Sequence, residues 1–157
     1  MIVVTANFKK AMYNYALLQG DIALFMNEYA ESRSNMRGII GYEDQDLIDS
    51  LIQKHAVRKE STYERLAAIE KTMVTPEGKA AYNEIEKALE AYFEKEAEVI
   101  KIGATTDQEL CRKAQQIAID EVAPLYEELD AVTLHLMDVN IEKEHEMEQV
   151  CNMLQYG

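Results

Sequence analysis

Arg33 and Arg37 have the most obvious chemistry to offer. They stand one helical turn apart in the stretch Arg33-Ser-Asn-Met-Arg37, and side chains at i and i+4 share one face of a helix. Two guanidiniums so placed suit the forked, charge-assisted recognition of a carboxylate. Read at a spacing of four then three, the surrounding stretch gives Phe8, Met12, Tyr15, Gln19, Ile22, Met26, Tyr29, Arg33, Met36 and Ile40. That is an unbroken heptad seam with a cation in a position meant for an apolar knob. An unpaired buried charge is costly. Arg33 therefore needs a carboxylate from its own chain, an anionic ligand, or a path to solvent or to a second protomer.

No other chemistry is spelled as clearly. A carboxylate-bridged di-iron site in a helical bundle requires two inward Glu-x-x-His pairs, and the only one here is Glu142-Lys-Glu-His145, off the seam. Neither His55 nor His135 has a glutamate three residues earlier. There is no CxxC, no glycine-rich phosphate loop and no nucleophile with a base at useful spacing, so no enzymatic activity, metal or cofactor is expected. The eight methionines read as core filler at helical spacing. Cys111 and Cys151 fall on one expected helix, roughly 60 Å apart at about 1.5 Å per residue, too far to pair.

The elements that must hold the arginines are helices. Six glycines and two prolines in 157 residues leave material for few turns, and the length suits one domain, residues 1–157. The first helix is expected over about 7–40, ending at Gly38, Gly41 and Tyr42. The second, over 44–73 with Asp44 or Asp46 as cap, carries Ile48, Leu51, His55, Arg58, Thr62, Leu66, Ile69 and Met73 on its seam. Thr75-Pro76 opens the third, over 76–102, with Thr as N-cap and Pro in the first turn; its seam is Ile85, Leu89, Tyr92, Glu96, Val99 and Ile102. Thr106-Asp-Gln-Glu109 has the form of a capping box and starts a fourth helix over 107–154. That seam runs Cys111, Ala114, Ala118, Val122, Leu125, Leu129, Val132, Leu136, Val139, Met147, Val150 and Leu154. Pro124 predicts a bend rather than an end.

Turns this short force antiparallel neighbours, so the expected fold is all-α, an up-down-up-down four-helix bundle with long first and fourth helices. The fourth is expected to outrun the others most, at the end carrying both termini. Counting down equally from the opposite tip, one layer gathers Arg33, His55, Tyr92, Glu96 and Gln115, with Tyr29 a turn below and Arg37 a turn above. Two readings of that layer stay open: an internal Arg33–Glu96 ion pair that sets register, or a pocket for a small anion.

A net charge of −13 disfavours nucleic acid and anionic lipid. The chain has no run of about 20 apolar residues to span a bilayer and no signal-peptide core. Both ends read as cut within helical pattern, as expected of a segment lying between two membrane helices.

In helix lengths, termini, paired arginines and the sequence Pro124-Leu125 followed by Leu129, the chain resembles the extracytoplasmic four-helix-bundle sensor domain of methyl-accepting chemotaxis receptors. The resemblance covers nearly the whole chain. It implies a transmembrane chemoreceptor that binds a small carboxylate at the membrane-distal end and signals by helix displacement without chemistry. It implicates Arg33 and Arg37 on helix one, with Arg112, Gln115 and Gln116 as helix-four candidates; Tyr29, His55 and Tyr92 complete the candidate ligand-binding set from the layer count. It further implies a homodimer through the first helix. The third arginine of amino-acid receptors is missing; that stretch offers Glu28 and Tyr29. The same sensor attached to a histidine kinase or a cyclic-nucleotide enzyme, and a structural bundle without a ligand, are the alternatives.

Overall fold

Residues 2–156 are described by the computed structural model, with side chains from residue 6 onward. Four helical arms fold up and down: α1 (Ile2–Ile39), α2 (Gln45–Glu70), α3 (Pro76–Gly103), and a fourth arm made of α4 (Gln108–Ile117), a π-helical turn (Ala118–Val122) and α5 (Ala123–Tyr156). No strand occurs among the described residues. α1 packs on α2 and α5, and α3 packs on α4 and α5, so the expected all-α antiparallel bundle is the fold.

Local chemistry explains the helix boundaries. Asp44 accepts from the backbone N–H of Leu47 to start α2. Thr75 accepts from Gly78 N–H at 3.0 Å, with Pro76 following it. Asp107, rather than the expected Thr106, caps α4 by accepting from Glu109 and Leu110. α2 stops at Glu70, not Met73. The Thr72 hydroxyl bonds the Ile69 carbonyl, a side-chain competitor of the helical ladder, and the next helix claims Thr75 as its cap.

On two seams, alternate positions differ from the sequence reading by one residue, while Ile22, Tyr29 and Met36, and Leu129 and Leu136, are buried as expected. On α1 the buried line is Leu18, Ile22, Phe25, Tyr29, Ser32, Met36 and Ile39. Ser32, fully buried, holds the place expected of Arg33, which lies on the flank at intermediate burial. The line Leu18–Phe25–Ser32–Ile39 contains no charge, whereas Gln19–Met26–Arg33–Ile40 does, and the less costly line goes inward.

On the fourth arm Val122, Leu129 and Leu136 are buried as expected, but Thr133 and Asn140 are buried in place of Val132 and Val139, which lie on the flank. The π turn is the cause. The Ala123 N–H bonds Ala118 O, five residues back, so one extra residue is consumed and the downstream phase advances by one. Pro124 has no N–H to offer, and its ring would crowd the Asp120 carbonyl in a regular α-helix. The interruption is thus absorbed as a wider turn and the helix continues. Of the buried polar groups that result, Thr133 Oγ1 donates to Leu129 O at 2.7 Å and Asn140 Nδ2 to Tyr15 O at 3.0 Å, while Asn140 Oδ1 has no partner among the described residues.

At the tip, Gly103 lets α3, α4 and the end of α1 close together. A Cβ there would stand 2.5 Å from Ala114 Cβ and 2.7 Å from Ile40 Cγ2. Gln115 Nε2 donates to Ile40 O at 2.9 Å, so Gln115, two turns into α4, is level with the end of α1. At the other end, the α2–α3 turn lies beside Tyr15, Leu18, Asn140 and Lys143. Residues 2–14 of α1 and 144–156 of α5 extend past that turn, about 20 Å each at 1.5 Å per residue. The two overhangs are equal, contrary to expectation. The surplus of the fourth arm lies at the tip, where α4 begins beyond α1.

Candidate functional site

The one-residue offset on α1 divides the expected polar layer in two. Glu96, fully buried on α3, takes the inner half. Its Oε1 accepts from Ser32 Oγ at 2.9 Å and meets His55 Nε2 from α2. One carboxyl group thus ties three helices together. Arg33 is not its partner; serine and histidine meet the carboxyl group where an Arg33–Glu96 ion pair is one of the two sequence readings. Tyr92, also fully buried, stands nearby; its OH and Glu96 Oε2 make no hydrogen bond among the described residues. Burial, and then the neighbouring Glu96, push the Tyr92 phenol far up. Tyr29 is likewise raised, by burial first and then by Asp130, to which its hydroxyl donates.

The outer half is a cavity of about 360 Å³ between the distal end of α1 and the start of the fourth arm. Arg33, Arg37 and Gln115 supply its polar lining; Met36 and Ile40 from α1 supply part of the apolar wall. The rest comes from the π turn and its exit: Ala118, Ile119, Val122 and Ala123. Its volume falls within the range of about 300–1,000 Å³ typical of small-molecule sites. Apolar walls with a few convergent polar groups are also the usual composition of such sites.

Neither arginine forms an ion pair among the described residues. The Arg33 guanidinium lies 4.0 Å over the Tyr126 ring, a cation–π contact that holds the group at the cavity. Tyr126 is itself braced edge-on against Tyr29 at 5.5 Å and Tyr92 at 5.7 Å. Its phenol is raised by burial first and then by Asp130, while Arg33 opposes that shift. Arg37, one turn further out, is exposed. Two cations without an ion-pair partner among the described residues thus face one cavity in a chain of net charge −13, an arrangement with the chemistry to attract an anion.

Of the eight candidate residues, Arg33, Arg37 and Gln115 come together on the cavity. Tyr29, His55 and Tyr92 lie behind it in the interior, none of them on its wall. Gln116 is exposed and donates to Asp120 at 2.9 Å, and Arg112 is exposed on α4; neither lines the cavity. The sequence reading missed Tyr126, the platform under Arg33, because a regular helix would have put Leu125 there. Pro124 was the signal that the phase would change.

A family model described as a four helix bundle sensory module for signal transduction matches residues 5–149. No curated protein matches the chain significantly.

The division of the layer has an energetic consequence. Glu96→Ala removes the shared partner of Ser32 and His55 and is expected to cost on the order of 3 kcal/mol. Arg33→Ala forfeits a cation–π contact near the surface and is expected to cost about 1 kcal/mol or less. Urea denaturation of the two variants measures the difference, and the reverse order would place Arg33 in the core.

Proposed function

The chain belongs to the family of four-helix-bundle sensory modules for signal transduction, and from that premise we propose that it is the extracytoplasmic ligand-sensing domain of a transmembrane chemoreceptor, binding a small carboxylate at its membrane-distal end. The observation that carries this reading is the cavity with two unpaired guanidiniums, Arg33 and Arg37, at the tip of α1. An Arg fork recognises a carboxylate by two parallel N–H···O bonds. The family is one of signalling modules rather than enzymes, and binding alone is enough for the role.

Both ends of the bundle's long helices leave from the side opposite the cavity, which supports membrane helices on either side of this segment in the full-length protein. No described helix is long and apolar enough to cross a membrane. The ligand would touch α1 and the π turn at once, and its leverage is its differential affinity for two packings of those helices. Packed seams shift between discrete arrangements rather than deforming smoothly, so a small displacement at the tip reaches the overhangs.

A second copy of the chain is the proposed macromolecular partner, docked on the outer face of α1. Between Lys10 and Glu31 the charges on that helix are Asp21, partly buried at the edge of the face that carries Tyr13, Leu17 and Leu24, and Glu28, which is buried, in a protein where charged residues are 29% of the chain. Those three side chains are 65%, 49% and 45% exposed at helical spacing. Gly20, between the two leucines, has nothing within 4 Å of where a Cβ would stand, so the bundle's own packing does not require it. A glycine that costs helix stability without an internal use suits close approach of a twin helix.

Thermal shift against a panel of small organic acids checks the ligand. At least one acid is expected to raise the melting temperature of the native protein; Arg33→Ala and Arg37→Ala are each expected to abolish that rise while circular dichroism stays unchanged. A panel without any stabilising acid would count against the reading. For the dimer, sedimentation equilibrium is expected to show Leu17→Glu/Leu24→Glu shifted towards monomer relative to the native chain; identical distributions would remove α1 as the interface.

A further inference from the structure

Resting on that reading of the cavity, we infer that its ligand is a monocarboxylate with a compact hydrophobic body, a single aromatic ring or a branched aliphatic chain, and not a polar dicarboxylate or an amino acid. The polar capacity of the site is small and already partly committed. Gln115 spends its Nε2 on the Ile40 carbonyl, and Arg33 presents only its edge, because one face lies on Tyr126. What remains free is one guanidinium edge, the exposed Arg37, and the second N–H and Oε1 of Gln115, enough for a single carboxylate and little further polarity. No third cation lines the cavity to take a second carboxylate, and no acidic side chain lines it to take an ammonium group. The remaining walls, from Met36 to Ile119 and Val122, are apolar. A hydroxyl or ammonium placed against them would lose water without gaining a partner, whereas an aromatic or branched body would be sheltered.

Ile119 allows a clean test, because it lines the cavity yet is 66% exposed, so replacing it leaves the core untouched. Calorimetric titration would compare benzoate, phenylacetate and isovalerate with succinate, malate and aspartate. The apolar monocarboxylates are expected to bind at least tenfold more tightly than the polar acids. Ile119→Asn should weaken them by about fivefold or more without lowering the melting temperature of the free protein. Tighter binding of a polar acid would overturn this inference while leaving the carboxylate-sensing reading intact. If none of the six acids binds, both fall.

Discussion

The carboxyl group of Glu96 is the constraint that sets the arrangement of the distal end. It has no exposed surface, so it must be met by side chains, and Ser32 and His55 meet it from α1 and α2. A bond between three helices at one oxygen holds their relative rotation, as buried polar groups do when they select one packing register over others. With Ser32 turned inward, Arg33 is turned outward. The cation that would have been a costly core residue becomes a surface guanidinium stacked on an aromatic ring.

The π turn plays the same part on the opposite wall. By taking up one extra residue ahead of Pro124, it places Tyr126 beneath Arg33 and brings Ala118, Ile119 and Val122 along the cavity. Without it, Leu125 would occupy that level and the arginine would have no platform. The cavity is therefore the joint product of two one-residue displacements, one on α1 caused by a buried carboxyl and one on the fourth arm caused by proline. Family membership accounts for a bundle; these two displacements account for where its anion-facing groups converge.

Much of the fold is legible in the chain. Asp44, Thr75 and Pro76 mark helix starts because capping is local chemistry, decided within four residues. The seams of α2 and α3 are readable for a similar reason: Ile48, Leu66 and Ile69, or Ile85, Leu89 and Val99, recur at helical spacing and no competing line is as apolar. The periodicity of α2 overshoots its end by three residues, because the Thr72 hydroxyl can serve either ladder or turn and the Thr75 cap downstream decides between them. α1 is helical from Ile2, earlier than its pattern predicts.

The amino-acid order by itself determined the number of helices, their direction, the turns between them and the presence of two arginines one turn apart near a tip. All of these are set by short-range periodicity and capping. Only the tertiary structure decided which of two adjacent heptad lines faces inward on α1 and α5. On α1 the uncharged line goes inward, yet on α5 the more polar one does, and the choice turns on partners distant in sequence: Glu96 is 64 residues from Ser32, and Asn140 is 125 from Tyr15. A pattern read along one helix contains no information about such partners, and a rotation by one residue is what separates a buried Arg33 from one that lines an open cavity.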